Sequence, residues 1–302
     1  MTTFRPAYLN LLDNGQLQAR VEAACARLAC CDLCARQCSV NRAAGQLGVC
    51  RTGRLALVSS FGPHHGEEAP LRGWRGSGTI FFTHCNLRCQ YCQNADISQT
   101  DAGEPVTPQV LAAMMLRLQA QGCHNINFVS PSHVVAQILE AVAIAARQGL
   151  RLPLVYNSGG YDALTALQLL DGVIDIYMPD MKYASPSIAL HYSRVRDYPQ
   201  VNQAAVREMH RQVGDLQLDA DGLAVRGLLV RHLILPNGLA GTAEIVAFLA
   251  KEISPNTYLN LMDQYHPAYQ ARRFSKINRP ITPQEYQTAM ALARAAGLHR
   301  LD

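Results

Sequence analysis

The sequence predicts an α/β protein built on a parallel β-sheet. The chain has 302 residues, of which 49% are hydrophobic and 17% are charged, enough for one large globular domain with a small appendage. From Thr79 onward, short β-rich runs alternate with helical stretches, a pattern typical of parallel strands joined by right-handed helical crossovers. No Gly-x-Gly-x-x-Gly motif follows the first of these strands, which argues against a dinucleotide-binding fold. The pattern alone leaves an open doubly wound sheet and a curved barrel as alternatives.

The elements follow in order along the chain. Apolar residues at helical spacing predict a helix at 15–29, and 55–60 is expected to be a strand before a glycine-, proline- and histidine-rich loop at 62–66. Thr282 and Glu285 match a capping box and predict a last helix at 283–296. Strands are expected at 79–83, 125–129, 153–156, 173–178, 228–235 and 257–262, helices at 108–121, 132–148, 161–170, 199–213 and 241–252, and a hairpin at 216–225. We therefore divide the chain into an amino-terminal segment, 1–78, and a main domain, 79–302.

Charge and targeting signals limit the partners and the compartment. The formal net charge of +4 is dispersed, without a block of Lys or Arg, so no nucleic-acid partner is expected. The first residues lack a signal-peptide pattern, and no run of about 18 apolar residues predicts a membrane span. We expect a cytoplasmic protein with no membrane partner. In a reducing compartment the ten cysteines are expected to be metal ligands rather than disulfides.

Three of these cysteines, Cys85, Cys89 and Cys92, lie within eight residues directly after the first predicted strand of the main domain. A four-iron cube needs four ligands to be closed off, so three thiolates leave one iron open to a small molecule. Zinc is a weaker interpretation, because no second Cys or His pair follows at a suitable spacing downstream.

The spacing of this cysteine triad, with Tyr91 before the last cysteine, resembles that of radical S-adenosylmethionine (SAM) enzymes. The resemblance implies a partial (β/α)6 barrel with its chemistry at the carboxyl ends of the strands. It also implies a [4Fe-4S] cluster on the triad, and SAM as a cofactor that is cleaved reductively to a 5′-deoxyadenosyl radical for hydrogen abstraction. Tyr91 is counted among the cofactor-binding residues on the same basis. An external electron donor such as flavodoxin or ferredoxin is implied by this chemistry.

The polar residues at the strand ends are similar to those of the pyruvate formate-lyase activating enzyme group. That similarity makes Asn157, Lys182 and His266 candidate SAM contacts, with Asp180 orienting Lys182 or facing the substrate. The structural alternatives are a turn residue for Asn157, a surface cation for Lys182 and a loop histidine for His266. Arg231 lies in an apolar strand, where a charge needs a partner.

One stretch departs from the family pattern. Many members have Gly-Gly-Glu after the second strand, whereas this chain has Ser130-Pro131-Ser132-His133. The carboxylate that helps to hold the methionine amino group is therefore missing. Ser130, Ser132 and His133 are candidate replacements, together with the backbone carbonyl groups of 129 and 130, and Ser132 is alternatively a cap of the following helix.

The amino-terminal segment carries its own cysteines. Four of them, spaced to enclose one metal centre, are Cys31, Cys34, Cys38 and Cys50, with Cys30 as an alternative to Cys31. Structural zinc, an auxiliary iron–sulfur cluster and reduced thiols are the three interpretations. Together with the triad, this cysteine string resembles one branch of the activating-enzyme-like radical proteins.

Three hypotheses of function follow. The first is activation of a glycyl-radical enzyme, which would then be a protein partner. The second is radical modification of a small metabolite or of another peptide. The third, from another class, is a zinc-stabilised binding module without catalysis.

Overall fold

A mostly parallel sheet of ten strands organises the protein. The structure is a computed structural model and describes residues 4–302. The strand order is β10-β9-β8-β6-β5-β4-β2-β1-β3, and β7 forms a short antiparallel hairpin with β8. The strands are β1 Ala56–His64, β2 Ser77–Phe82, β3 Glu104–Val106, β4 Ile126–Val129, β5 Leu154–Ser158, β6 Ile176–Pro179, β7 Gln217–Leu218, β8 Ala224–Leu233, β9 Tyr258–Met262 and β10 Arg300–Leu301.

Six of these strands, β2, β4, β5, β6, β8 and β9, are parallel neighbours and correspond to the six that the sequence predicts. Helices connect them and cover the outer face of the sheet, because the outward residues of each strand join one large apolar core with the helices. The helices are α1 Tyr8–Asp13, α2 Gln16–Ala26, α3 Ala69–Arg72, α4 Ala95–Ser98, α5 Pro108–Ala120, α6 Val135–Arg147, α7 Leu164–Leu170, α8 Pro186–Ser193, α9 Tyr198–Val213, α10 Thr242–Phe248 and α11 Pro283–Ala295. The predicted capping box of α11 is confirmed, with Thr282 and Glu285 exchanging their side-chain and backbone hydrogen bonds.

The inner face of the sheet is layered. Val155, Ile176 and Leu229 form a small apolar cluster with Leu71, which comes from the α3 segment. Nearer the carboxyl ends the inner positions are polar. Residues two apart along a strand point to the same face, so these polar residues share the inner face with the apolar cluster. The segment 66–72 crosses the inner face, and its Glu68 accepts a hydrogen bond from Asn260 of β9 at 3.0 Å. The sheet is curved but unclosed, a partial barrel as predicted, and this segment lies along its open side.

The amino-terminal residues belong to the same body of the protein. Strand β1 pairs antiparallel with β2, so the predicted segment 1–78 contributes a strand to the sheet of the main domain. Helix α2 packs on α6, and the Tyr8 hydroxyl donates to the carbonyl of Leu152 at 3.1 Å. The division at residue 78 stays a prediction.

One expectation is wrong. The predicted loop at 62–66 begins as strand, because β1 continues through Gly62 and Pro63 to His64. Proline is tolerated there because β3 pairs only with the first three residues of β1, so the edge of β1 near Pro63 has no ladder bond to lose.

Across residues 4–302, none of the helices combines the length and the apolar character that crossing a bilayer requires.

Candidate active site

The cysteine triad lies in the loop between β2 and α4, at the carboxyl end of the first parallel strand. Three contacts to neighbouring elements hold this loop. The backbone N–H groups of Arg88 and Gln90 donate to the carbonyl groups of Ser193 and Tyr192, at 3.3 and 2.7 Å. The buried side chain of Asn86 donates to the carbonyl of Tyr161 at 2.7 Å. The loop conformation therefore depends on α8 and on the segment after β5.

The three thiols lie close enough to influence one another's ionisation. Burial raises the pKa of the Cys85 thiol to about 12, and Cys89 and Cys92 act in the same direction. Burial also raises the pKa of Cys89, and the cation of Lys182 opposes that effect. Thiols in this state release protons when they bind a metal, so metal loading is expected to be pH-dependent.

Hydrogen-bond donors surround the sulfur atoms of the triad. The Sγ of Cys89 lies 2.9 Å from the Ser193 hydroxyl, and the Sγ of Cys92 lies 3.1 Å from the Ser98 hydroxyl. The backbone N–H of Leu87 donates to the Sγ of Cys85 at 3.4 Å. Hydrogen bonds to the sulfur atoms stabilise the anionic thiolates of an iron–sulfur cluster and tune its potential. Three clustered thiols with such donors fit a [4Fe-4S] cluster.

A cavity of about 210 Å³ opens beside the triad. Its polar wall is an ion network at the ends of β6 and β8. The Asp180 carboxylate contacts the Lys182 ammonium at 2.5 Å and the Arg231 guanidinium at 2.9 Å. Burial would raise the pKa of Asp180, but Arg231 and Lys182 outweigh it and the pKa is lowered. The cavity is lined by Cys89, Tyr91, Cys92, Gln93, Asn94, Asp180, Lys182, Arg231, Leu233, Met262 and Gln264.

The structure brings some of the predicted contacts together. Tyr91 is 4% exposed and packs edge-to-face on Tyr183, Tyr192 and Tyr265, so one side of the cavity is aromatic. Asn157 is not a turn residue, since it lies within β5 and its Oδ1 accepts a 2.7 Å hydrogen bond from Arg231.

Other predicted contacts lie further away. His266 is exposed and reaches the cavity through Gln93, whose Nε2 is 3.4 Å from the imidazole Nδ1. Ser130 does not line the cavity. It lies just past β4 in the left-handed conformation, with φ of 60°, and its N–H donates to the carbonyl of Asn157 at 2.9 Å. For a residue with a side chain this backbone is strained, and such strain clusters at functional sites.

The four amino-terminal cysteines also converge. Burial raises the pKa of the Cys34 thiol to about 12, with contributions in the same direction from Cys50, Cys31 and Cys38. A methyl group on Gly48 would lie 3.0 Å from the Sγ of Cys38, so a side chain there would crowd this cysteine.

This cysteine segment is packed against the triad loop. Arg36 donates from Nε to the carbonyl of Asn86 at 2.8 Å, and Arg88 of the triad loop donates to the carbonyl of Val49. Arg88 also feels the charge of both Cys85 and Cys50, so it lies between the two groups of thiols.

Sequence reasoning missed a second group of polar residues inside the barrel. Glu67 and Glu68 lie on the segment that crosses the inner face, and Asn127 and Asn260 lie on β4 and β9. The available signal was a pair of adjacent carboxylates directly after the predicted loop at 62–66. Asn127 and Asn260 could have been found as single polar residues within apolar strands.

Comparison with known proteins identifies the class. The model of the family described as Radical SAM superfamily matches residues 79–216. The chain belongs to this superfamily and is one of its enzymes, and the family implies a [4Fe-4S] cluster, SAM and an electron donor. The Uncharacterized protein MJ0674 of Methanocaldococcus jannaschii is 31% identical over 278 residues, which cover 89% of this chain and 75% of that protein.

Solved structures share the fold. HydG, a maturase of the [FeFe]-hydrogenase, superposes with a TM-score of 0.52 at 11% identity, over 72% of this chain and 49% of HydG. The radical SAM methyltransferase TsrM from Kitasatospora setae superposes with a TM-score of 0.51 at 15% identity, over 76% of this chain and 55% of TsrM. The chain spans about half the length of these two proteins, and the likeness concerns the fold alone.

The ion network generates a first prediction. Asp180→Asn leaves Lys182 and Arg231 without their shared anion in a buried place, so we expect the free energy of unfolding to fall by about 3 to 5 kcal/mol. Because the folded pKa of Asp180 is lowered, its contribution is complete above the unfolded value of about 3.9 and is lost as the pH falls through the folded pKa. Urea unfolding of both proteins under anaerobic conditions at pH 7 measures the difference.

Asp171→Asn is the matched control. It breaks an ion pair with Arg211 in which both side chains are exposed, so the expected loss is under about 1 kcal/mol. Equal losses in the two variants would show that the Asp180 network does not stabilise the barrel.

Proposed function

We propose that the chain is a radical SAM enzyme of the activating-enzyme-like branch, which holds a [4Fe-4S] cluster on Cys85, Cys89 and Cys92 and binds SAM in the adjoining cavity. The observation that carries this proposal is the meeting of two triad cysteines, Cys89 and Cys92, with Lys182 and Asp180 around one cavity at the carboxyl ends of parallel strands. When bound, the cluster supplies the single electron that cleaves SAM reductively.

The residues of the chain bind and orient the cofactor. The Lys182 ammonium, kept charged by Asp180, pairs with the carboxylate of the methionine moiety. The backbone carbonyl groups at 129 and 130 accept from its amino group, in place of the carboxylate that the family pattern has there. Ser130, which has a left-handed backbone just past β4, supplies one of these carbonyl groups.

Asn157 and His266 complete the proposed cofactor site. Asn157 keeps its side-chain Nδ2 free to donate while its Oδ1 accepts from Arg231. His266 contacts the cofactor at the rim of the cavity, beside Gln93. The aromatic packing of Tyr91 excludes water from the side nearest the thiols.

The reaction needs a one-electron reductant, for which we propose flavodoxin or ferredoxin. The target is either a glycine of a glycyl-radical enzyme or a small metabolite or other peptide. The resemblance of the strand ends to activating enzymes supports the first, and a second polar cavity beside the first supports the metabolite. Anaerobic incubation with a purified glycyl-radical enzyme distinguishes them, since activation produces a glycyl radical that electron paramagnetic resonance detects.

For the amino-terminal cysteines we propose an auxiliary iron–sulfur cluster held by Cys31, Cys34, Cys38 and Cys50. Within residues 4–302, no three His, Cys, Asp or Glu side chains are arranged to hold a single metal ion. Thiolates of one zinc ion converge on a centre about 2.3 Å away, whereas a cluster of several irons needs them further apart. The four thiols influence one another's ionisation and yet form no single-ion site, which supports a cluster over structural zinc.

The central test is Cys89→Ala. Without this thiolate the triad has two ligands, so we expect loss of its cluster and of all 5′-deoxyadenosine formation from SAM and dithionite. Iron content, visible absorbance and chromatography of the products measure this after anaerobic reconstitution. Cys25→Ala on α2 is the control and should keep both. Full cleavage activity in Cys89→Ala would remove the triad from the cluster site.

A second test concerns His266→Ala. We expect SAM to bind about tenfold more weakly, because one hydrogen bond is worth about 1 to 1.5 kcal/mol, while the iron content stays unchanged. Anaerobic isothermal titration calorimetry measures the affinity. His299→Ala, exposed at the far carboxyl end of the chain, is the control. An unchanged dissociation constant in His266→Ala would exclude this residue from the SAM site.

A third test addresses the amino-terminal centre. Cys38→Ala should lower the iron content by about one cluster while the triad cluster and SAM cleavage remain, because the two thiol groups bind separate centres. Elemental analysis of wild type and variant gives iron and zinc per chain. If the wild type instead contains one zinc per chain and the variant has lost it, the amino-terminal centre is a structural zinc ion and not a cluster.

A further inference from the structure

A second cavity of about 300 Å³ adjoins the one beside the triad. It lies at the open side of the barrel, between the segment 66–72 and strand β9. Three residues line both cavities, Arg231, Met262 and Gln264. A molecule bound in the second cavity therefore extends directly toward the cysteine triad.

Two adjacent carboxylates, Glu67 and Glu68, form the inner wall of this second cavity. The Glu68 side chain is 5% exposed, and its Oε1 accepts from Asn260 at 3.0 Å and lies 3.9 Å from Arg231. The other carboxylate oxygen of Glu68 and the Oε2 of Glu67 are buried and make no hydrogen bond with any residue of 4–302. Two carboxylate oxygens are thus left without donors.

Asn127 adds an independent observation. It is fully buried on the inner face of β4, and neither its Oδ1 nor its Nδ2 is within hydrogen-bond geometry of a partner among residues 4–302. The amide lies near enough to Glu67 to act on that carboxyl, whose pKa it lowers. A buried amide without partners costs about 1 to 3 kcal/mol, so such groups are expected to serve a ligand. Asn127 thus places one more acceptor next to Glu67, whose carboxylate lines the cavity with that of Glu68.

The charges in this region do not balance when every group is ionised. The carboxylates of Glu67, Glu68 and Asp180 face the cations of Arg231 and Lys182. At the rim, Arg72 and Asp302 add one charge of each sign. The interior is therefore short of one positive charge.

Titration of Glu67 is consistent with this deficit. Burial raises the pKa of Glu67 to about 7, which Arg231 opposes and Glu68 reinforces. The titratable and charged groups that face this pair are Glu68 and Arg72 on its own segment, Arg231 and Tyr258 on the strands, and Asp302 beyond β10. A proton on Glu67 therefore supplies the missing positive charge when no cation is bound.

We propose that Glu67, Glu68 and Asn127 bind a primary ammonium or guanidinium group of the substrate. Such a group donates two or more N–H hydrogen bonds to oxygen atoms that have no other donor. It also supplies the missing positive charge. A divalent metal ion is the other cation to consider. Within the described residues 4–302, however, no three carboxylate, His or Cys side chains are placed to hold one.

This proposal rests on the proposed function, since it assigns the substrate class to the same barrel. The cationic group anchors the substrate in the second cavity, and the part of the substrate next to it extends past Arg231 toward the SAM cavity. The same chemistry is found in a small amine and in a lysine or arginine side chain of a peptide, and the experiment separates these sources.

The test uses the cluster-reconstituted protein with SAM and three probes, measured by ligand-observed nuclear magnetic resonance titration. Butylammonium and N-acetyl-lysine methylamide carry the ammonium group, and butyltrimethylammonium carries the charge without an N–H donor. We expect butylammonium to bind at least tenfold more tightly than butyltrimethylammonium. Binding of the lysine amide as well indicates a peptide source and its failure to bind indicates a small amine; either supports the proposal when butylammonium binds.

The pH dependence tests the same site without a mutation. Butylammonium stays charged, since alkylamines titrate near pH 10 to 11, so only the protein changes state. Below a pKa of about 7 a proton on Glu67 competes with the cation, so binding should strengthen about tenfold from pH 6 to pH 8.

Variants connect the binding to the named residues. Glu68→Gln should weaken butylammonium binding at least tenfold, and Glu67→Gln should remove the pH dependence. Glu104→Gln, at an exposed position on β3, is the control. Circular dichroism and melting temperature verify that each variant is folded. The absence of butylammonium binding to wild type, or equal binding of butyltrimethylammonium, overturns the proposal.

Formation of 5′-deoxyadenosine without substrate separates this inference from the proposed function. If wild type cleaves SAM but does not bind butylammonium, the proposed function stands and the cation site is wrong. If butylammonium binds as described but no SAM cleavage occurs, the cation site stands and the proposed function is wrong.

Discussion

Asp180 holds two cations inside the barrel, and the arrangement of the site depends on this contact. Its carboxylate contacts Lys182 on one side and Arg231 on the other, at the ends of β6 and β8. A buried charge is costly unless it is paired, so the three side chains are confined to one geometry. Through it Lys182 stands beside the cysteine triad, while Arg231 reaches Asn157 and approaches Glu68. The ion network therefore connects the two cavities.

The triad loop depends equally on elements distant in sequence. It follows β2, but its backbone is held by α8, by the segment after β5 and by Arg36 of the amino-terminal segment. The amino-terminal cysteines thus belong to the surroundings of the active site. Their packing against the triad loop gives a physical reason for both cysteine groups to occur in one chain.

Much of the fold was predictable because its signals are local. Alternating strand and helix patterns predicted the six parallel strands, and the Thr282 capping box predicted the start of α11. The strand at Pro63 was not predictable, because proline is acceptable there only through the lack of a partner on that edge. Within the site, the triad motif predicted that the three thiols lie close together. Glu67 and Glu68 were missed because their segment crosses the inner face of a sheet that forms later in the chain.

The sequence by itself determined the class of chemistry, since a three-cysteine motif and alternating strands are patterns of near neighbours along the chain. Only the tertiary structure decided the partners of Asn157, Lys182 and Arg231, and which carboxylates face the cavity. The physical reason is that ion pairs and cavities join residues from strands that are far apart in sequence. Their charges interact strongly only when the curved sheet removes them from water and brings them within a few ångströms of one another.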